Sequence, residues 1–173
     1  MASIEMICGD LTQLDVDAIV CPAHKYLSKG RGLSAQIHDK AGETLVAECE
    51  KAGSCKIGEA AITCGGDLPA TYIIHTVTPL WTGGDQWGAS AIEQLGMCYE
   101  SVIKTALGHN IKSLFFPALS AGTNKMPHSI AAHQGLEILR KYADKFNRLG
   151  VCLHREANLQ EWLSVYNQFY AAS

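Results

Sequence analysis

The sequence has no long hydrophobic run and no strong excess of either charge. Its longest apolar runs fall well short of the roughly 20 residues that a bilayer-spanning helix requires. The first residues lack the basic and apolar segments of a secretion signal. A formal net charge of −3 produces no field that would gather a polyanion. We therefore expect no membrane partner and no general binding of nucleic acid.

Paired cysteine motifs are also missing. The seven cysteines are scattered without a CxxC pair, and several lie in apolar runs, where a thiol behaves as a small hydrophobic group. This usage indicates a reducing, cytoplasmic location rather than a disulfide framework. Cys21 and His24 have a C-x-x-H spacing, but no second pair with zinc-finger spacing follows. No metal site and no cofactor are predicted.

The composition is that of a globular chain. Hydrophobic residues make up 47% and charged residues 18% of the 173 residues, which suits a packed core and argues against disorder. At this length a single core still grows efficiently, so one domain over residues 1–173 is expected. Short β-branched runs alternate with longer stretches of helical period, a pattern that predicts an α/β fold.

The strand and helix candidates are bounded by glycine, proline and short polar residues. The predicted strands are residues 4–8, 18–21, 60–63, 72–77, 113–116 and 150–153. The predicted helices are residues 33–39, 43–51, 90–107, 128–146 and 156–170. Several strands are apolar on consecutive residues and are therefore expected to be buried on both faces. The glycine-rich residues 81–88 are predicted to form a mobile surface loop.

Three glycine-bearing loops each follow a predicted strand. In layered α/β folds, ligands bind outside the carboxyl ends of the strands, so these loops are candidates for one nucleotide site. The first loop, residues 9–12, offers the Asp10 carboxylate as an acceptor for an exocyclic amine. Gly-Asp is also a common turn pair, and that interpretation stays open.

The other two loops suit a diphosphate. Residues 29–34 contain Gly30 and Gly32, which let backbone amides approach phosphate oxygens at a helix N-terminus. Arg31 is either part of this site or a solvated surface residue. Residues 117–124 combine small hydroxylated residues with Gly122 and also suit close backbone approach. If the two loops face the same cleft, they would bind a pyrophosphate between them.

Taken together and in order, the motifs of this chain resemble those of the macro domain family over nearly the whole length. The motifs are Gly9-Asp10-Leu11-Thr12, Val16-Asp17-Ala18-Ile19-Val20, Ile37-His38 with Ala41-Gly42, Gly58-Glu59-Ala60, Leu68-Pro69-Ala70 with Ile74-His75-Thr76-Val77, and Phe116-Pro117-Ala118. The resemblance implies a three-layer α/β/α fold with a central mixed β-sheet. It also implies a cleft for ADP-ribose or a derivative such as O-acetyl-ADP-ribose, free or attached to an ADP-ribosylated macromolecule.

The resemblance assigns binding residues by position. The residues of the first loop would hold the adenine, and the residues of the second loop would hold the diphosphate and the distal ribose. The residues of the third loop would close the other side of the cleft. The implied ligand-binding residues are Asp10, Leu11, Ala23, His24, Gly30, Arg31, Gly32, Leu33, Ser120, Ala121, Gly122, Thr123 and Asn124.

The chain departs from the family at the catalytic positions. The deacetylase and mono-ADP-ribosyl hydrolase branch typically has the motif Val-Asn-Ala-Ala-Asn. This chain has Val20-Cys21-Pro22-Ala23-His24 at that place, so Cys21 and His24 replace the two asparagines. The aspartate that would orient a water is replaced by Ser34, whose hydroxyl cannot supply a carboxylate's charge. The usual aromatic over the ribose is also replaced near Asn124, beside Lys125.

Two functions are therefore considered. The first is a reader that binds an ADP-ribose-type nucleotide without turnover. The second is an ADP-ribosyl hydrolase or deacetylase with an altered site in which His24 and Ser34 are catalytic; His24 otherwise only packs or hydrogen-bonds in the cleft wall. The missing carboxylate favours the reader, because such a loss costs orders of magnitude in rate. His38 and His75 are expected to be structural.

Overall fold

The computed structural model describes residues 3–81, 89–122 and 124–171. Most of the predicted loop at residues 81–88 and the predicted ligand residue Thr123 lie outside this part of the chain. The strands are β1 (Ile4–Cys8), β2 (Ala18–Ala23), β3 (Ala60–Cys64), β4 (Tyr72–Val77), β5 (Ser113–Phe116) and β6 (Arg148–Leu153). The α-helices are α1 (Leu33–Ala41), α2 (Glu43–Ala52), α3 (Ala89–Gly108), α4 (His128–Tyr142) and α5 (Glu156–Val165).

The described strands form one six-stranded sheet in the order β1-β6-β5-β2-β4-β3. Strands β1, β6, β5, β2 and β4 run parallel to one another, and the edge strand β3 pairs with β4 in the antiparallel direction. The predicted mixed α/β sheet is confirmed. The carboxyl ends of the five parallel strands consequently meet at one edge of the sheet.

Both faces of the sheet are covered by helices. Side chains alternate across a strand, so Val20 packs with α3, α4 and α5 on one face, while Ile19 packs with α1 and α2 on the other. In β5, Phe116 and Phe115 divide between the two cores in the same way. This two-sided burial explains the runs of consecutive apolar residues in the sequence. No helix in the described ranges combines the length and apolarity needed to cross a bilayer.

The predicted elements are present, but some ends differ. Helix α4 stops at Tyr142 and continues as a 3₁₀ turn, and α5 stops at Val165 before a π-helical turn that reaches Tyr170. Strand β6 begins at Arg148 rather than at Gly150, because Arg148 pairs with Ser113 of β5 and Leu149 pairs with Ile4 of β1. Such ends depend on tertiary contacts that a local pattern does not contain.

Candidate functional site

A cleft lies at the edge where the five parallel strands end. Its volume is about 1220 Å³, and residues that follow or end β1, β2, β4, β5 and β6 line it. Twelve of the thirteen residues that the sequence indicated for binding line this cleft: Asp10, Leu11, Ala23, His24, Gly30, Arg31, Gly32, Leu33, Ser120, Ala121, Gly122 and Asn124. The thirteenth, Thr123, is outside the described residues. Ser34, indicated for catalysis, also lines it.

Asp10 lies on the β1 side of the cleft in a dense set of hydrogen bonds. Its carboxylate accepts bonds from the Thr12 backbone N–H at 3.0 Å, the Thr12 hydroxyl at 2.6 Å, Gln36 Nε2 at 3.2 Å and Lys40 Nζ at 2.9 Å. Burial alone would raise the pKa of Asp10, but the bonds from Lys40 and Thr12 outweigh it and hold the pKa below its usual value. The carboxylate is therefore an ionised, oriented acceptor at the cleft wall.

The second loop brings backbone close to the cleft. Gly32 is the N-cap of α1 and has φ 58° and ψ −125°, a conformation that side-chain-bearing residues rarely adopt. The loop is fastened by a hydrogen bond from the Gly30 N–H to the Ser34 hydroxyl at 3.1 Å. The first-turn amides of an α-helix have no acceptor within the helix, so α1 presents donors and a partial positive charge here.

The third loop closes the opposite wall by contacts with residues 78–81. The Asn124 side-chain amide donates to Thr78 Oγ1 at 2.8 Å and to Pro79 O at 3.0 Å. The Ser120 hydroxyl donates to Pro79 O at 2.9 Å. Both side chains therefore hold the loop in place, and Ala121 and Gly122 line the cleft. Lys125 is exposed and does not contribute to the lining of the cleft.

His24 is exposed at the cleft, and its ring is held within its own loop. Nδ1 accepts a bond from the Tyr26 backbone N–H at 3.3 Å, and Nε2 lies 2.8 Å from the Ser28 hydroxyl. This arrangement fits the tautomer with hydrogen on Nε2. Cys21 is buried in β2, whereas His24 is exposed and its ring nitrogens are engaged by Tyr26 and Ser28, so the two residues of the C-x-x-H spacing lie in different environments.

Ser34 is only 4% exposed, and its hydroxyl accepts the bond from the Gly30 N–H while the side chain lies against Cys21. Among the described lining residues the sole carboxylate is that of Asp10, which is held by Lys40 and Thr12. The described part of the cleft thus contains no free carboxylate that could activate a water beside Ser34.

Sequence reasoning missed the β6 end of the cleft. His154, Arg155 and Asn158 line it, as does His128 at the start of α4. These residues obey the rule that identified the three loops, since they follow the carboxyl end of a parallel strand or open a helix, but no glycine marks them. His128 accepts a bond from Trp162 Nε1 at 3.4 Å, and burial lowers its pKa.

The charge of the lining differs from that of the whole chain. Lys29, Arg31 and Arg155 line the cleft, against the one described carboxylate of Asp10. Lys29 forms an exposed ion pair with Asp39 at 2.5 Å, whereas the Asp10 charge is matched by Lys40. The N-terminus of α1, together with Arg31 and Arg155 in the lining, favours an anionic ligand.

Comparisons with known proteins agree with this geometry. The family model described as Macro domain matches residues 20–134. The chain is 38% identical over 166 residues to the ADP-ribose glycohydrolase MACROD2 of Xenopus laevis, covering 94% of this chain and 39% of that protein. It is 40% identical over 146 residues to the macro domain-containing protein lmo2759 of Listeria monocytogenes, covering 82% and 81%. The chain therefore spans about two fifths of the MACROD2 sequence and most of the bacterial one.

Solved structures share the fold. The Oceanobacillus iheyensis macrodomain with MES bound superposes with a TM-score of 0.87 at 27% identity, covering 94% of this chain and 89% of that one. The Trypanosoma brucei macrodomain in complex with ADP-ribose gives 0.84 at 29% identity, covering 93% and 68%. On the family match over residues 20–134 and on the similarity to lmo2759, of which this chain covers 81%, the chain belongs to the macro domain family.

Proposed function

We propose that this protein binds ADP-ribose or a closely related nucleotide, free or attached to a macromolecule, as a reader without efficient turnover. The observation that carries the proposal is the cleft itself. It places an ionised acceptor, Asp10, on one side and two backbone-rich loops, at Gly30–Gly32 and Ala121–Gly122, on the other walls. An adenine amine suits the acceptor, and a diphosphate suits the amide donors.

The charge balance supports the same ligand class. The chain carries a net charge of −3, yet Lys29, Arg31 and Arg155 gather at this cleft. Relatives point in the same direction, since the Trypanosoma brucei macrodomain is solved with ADP-ribose and an Oceanobacillus iheyensis macrodomain variant with ADPR.

The proposed lack of efficient turnover rests on the hydrogen bonds of two side chains, His24 and Ser34. Both ring nitrogens of His24 are engaged within residues 24–28, and Ser34 is buried between Gly30 and Cys21. Neither is arranged as a base with a carboxylate partner. General acid–base assistance is worth about 10²–10⁴ in rate, so its absence leaves binding without efficient hydrolysis.

Calorimetry followed by an activity assay on the same sample tests this function. We expect a 1:1 isotherm with ADP-ribose. Release of ADP-ribose from a mono-ADP-ribosylated protein should be about 10²–10⁴-fold slower than by the ADP-ribose glycohydrolase MACROD1 of Mus musculus, a relative 41% identical over 157 residues. O-acetyl-ADP-ribose should also survive incubation. Absence of binding at millimolar ADP-ribose would contradict the nucleotide assignment.

A hydrolase is the second candidate, because the MACROD relatives at 37–41% identity are named ADP-ribose glycohydrolases. Turnover at the MACROD1 rate would establish it in place of the reader. His24→Ala and Ser34→Ala would then each be expected to reduce the rate, whereas for a reader neither variant changes a basal rate that is already negligible.

Gly32→Ala is expected to weaken ADP-ribose binding at least about fivefold. A Cβ at φ 58° strains the backbone by about 1–3 kcal/mol, and the loop can relieve this strain only by moving its amides at the cleft. Calorimetry measures the change. Gly53→Ala is the matched control, since Gly53 has a similar φ of 83° and ψ of −110° at the end of α2. It should lower stability and leave affinity unchanged, and an equal loss of affinity in both variants would refute the local explanation.

A further inference from the structure

Three buried side chains with metal-binding atoms meet beneath the cleft. Cys21 of β2 lies directly across from His75 of β4 in the sheet register, and His38 of α1 packs over them. The Cys21 sulfur and one ring nitrogen of each histidine all lie within 4.8 Å of one another. Cys21 and His75 are 0% exposed and His38 is 6% exposed. The cluster is therefore sealed from solvent except at the His38 side.

The two histidines carry unsatisfied polar atoms. Nδ1 of His38 and Nδ1 of His75 are buried and have no hydrogen-bond partner in the described part of the protein. Thr63 lies 2.9 Å from Nε2 of His75, so Nδ1 is the nitrogen of that ring left for another contact. A buried polar atom without a partner costs about 1–3 kcal/mol, and two in one cluster need an explanation. A ligand shared by both rings would supply it.

The protonation states suit a cation ligand. A neutral imidazole offers the lone pair of its unprotonated nitrogen, and Nδ1 of both His38 and His75 is without a partner among the described residues. Cys21 is a buried thiol, and sulfur binds a metal ion as the thiolate. An entering metal ion must therefore displace one proton from sulfur, which leaves to solvent as the metal–sulfur bond forms.

The charge of the ligand set selects among ions. One thiolate and two neutral imidazoles total −1, so a monovalent cation makes the buried site neutral, while a divalent ion leaves an uncompensated positive charge in an apolar interior. Cys and His are soft or borderline ligands, and thiolate favours Cu(I) among monovalent ions. We propose that Cys21, His38 and His75 form a buried, three-coordinate site for Cu(I).

The geometry needs only a small contraction. With metal–sulfur and metal–nitrogen bonds of about 2.3 and 2.0–2.1 Å, ligand atoms around a planar three-coordinate ion lie about 3.5–3.8 Å apart. The ligand atoms now lie within 4.8 Å of one another, so the side chains must approach by up to about 1.3 Å. Thr63 fixes the ring of His75 through its far nitrogen, the usual arrangement around metal-binding histidines. Ser34 connects the site to the cleft floor above it.

Anaerobic competition with the Cu(I) chelator bicinchoninate tests the site on the purified protein. We expect the wild type to withdraw one Cu(I) per chain from the chelator. Cys21→Ser and His75→Gln should weaken binding at least 100-fold, and Thr63→Val about tenfold. Cys8→Ser is the matched control, because Cys8 is an exposed thiol outside the cluster and its loss should have no effect.

X-ray absorption of the loaded wild type checks the ligands without any variant. One sulfur and two nitrogen neighbours are expected. A sulfur-only shell, or loss of binding in Cys8→Ser but not in Cys21→Ser, would show that surface thiols hold the ion and would overturn the proposal. Preferential uptake of Zn(II) over Cu(I) from an equimolar mixture would overturn the monovalent assignment. Metal-free melting curves of each variant establish that it is folded.

Discussion

Asp10→Ala is expected to weaken ADP-ribose binding about 10- to 100-fold. Hydrogen bonds to charged groups contribute about 1.5–3 kcal/mol, and each 1.4 kcal/mol is a factor of ten in affinity. The carboxylate is ionised and oriented by Lys40 and Thr12 at the cleft wall, so it meets a donor such as an adenine amine without reorganisation. Calorimetry of the variant with ADP-ribose measures the loss.

A change of base separates direct contact from loop ordering. Hypoxanthine lacks the exocyclic amine, so wild type should prefer ADP-ribose over inosine diphosphate ribose, and Asp10→Ala should bind both equally. Lys40→Met is the matched control, because it removes the ion pair from the other side and keeps the carboxylate. It should keep most of the preference for adenine. If Asp10→Ala still discriminates between the two bases, Asp10 acts only by holding Thr12 and its loop.

The sheet was predictable because its signals are local. A strand buried on both faces reads as a short apolar run, and Tyr72–Val77 and Ser113–Phe116 were predicted with the bounds that the structure has. The ends of α4 and α5 were not predictable from the sequence. The departure from α-helix at Ala143 and at Tyr166 depends on hydrogen bonds and packing that the local pattern of apolar residues does not contain. Nothing in the spacing of apolar residues changes at either position.

The cleft was predictable in part for a related reason. Parallel strands end at one edge, so loops that follow them converge wherever the sheet order places them, and glycine made three such loops conspicuous. Arg155 and Asn158 lie at the same edge without a glycine and were missed. Which side chains remain free to act is a question of hydrogen bonding, and the engagement of Ser120 and Asn124 with Pro79 could not be read from the sequence.

The buried cluster of Cys21, His38 and His75 was the feature that was hardest to predict from the sequence. His38 and His75 were expected to be structural, and the bond between His75 and Thr63 agrees with that expectation. Their meeting with Cys21 depends on the register of β2 against β4, which pairs Cys21 with His75. A shift of one residue would turn the Cys21 side chain to the opposite face. Spacing along the chain offered only Cys21 with His24, and no metal site was predicted from it.

Gly150→Ala should lower the free energy of unfolding by about 2–3 kcal/mol, a typical cost of forcing an extra group into a packed core. Gly150 lies in β6 between β1 and β5, where an added Cβ would be 2.6 Å from the Glu5 backbone oxygen and 2.6 Å from the Phe115 ring. Neither neighbour can yield easily, since one is backbone of a paired strand and the other is fully buried. A shift of β6 would disturb its hydrogen bonds with both β1 and β5.

Urea unfolding followed by circular dichroism measures this effect, with Gly108→Ala as the matched control. Gly108 ends α3 and has no atom within 4 Å of an added Cβ, so its replacement should leave stability unchanged or raise it by up to about 1 kcal/mol. The two variants make the same chemical change, and only the space around the methyl group differs. Equal midpoints at an unchanged slope would mean that the sheet relaxes around Gly150, and that close strand packing is not what requires glycine there.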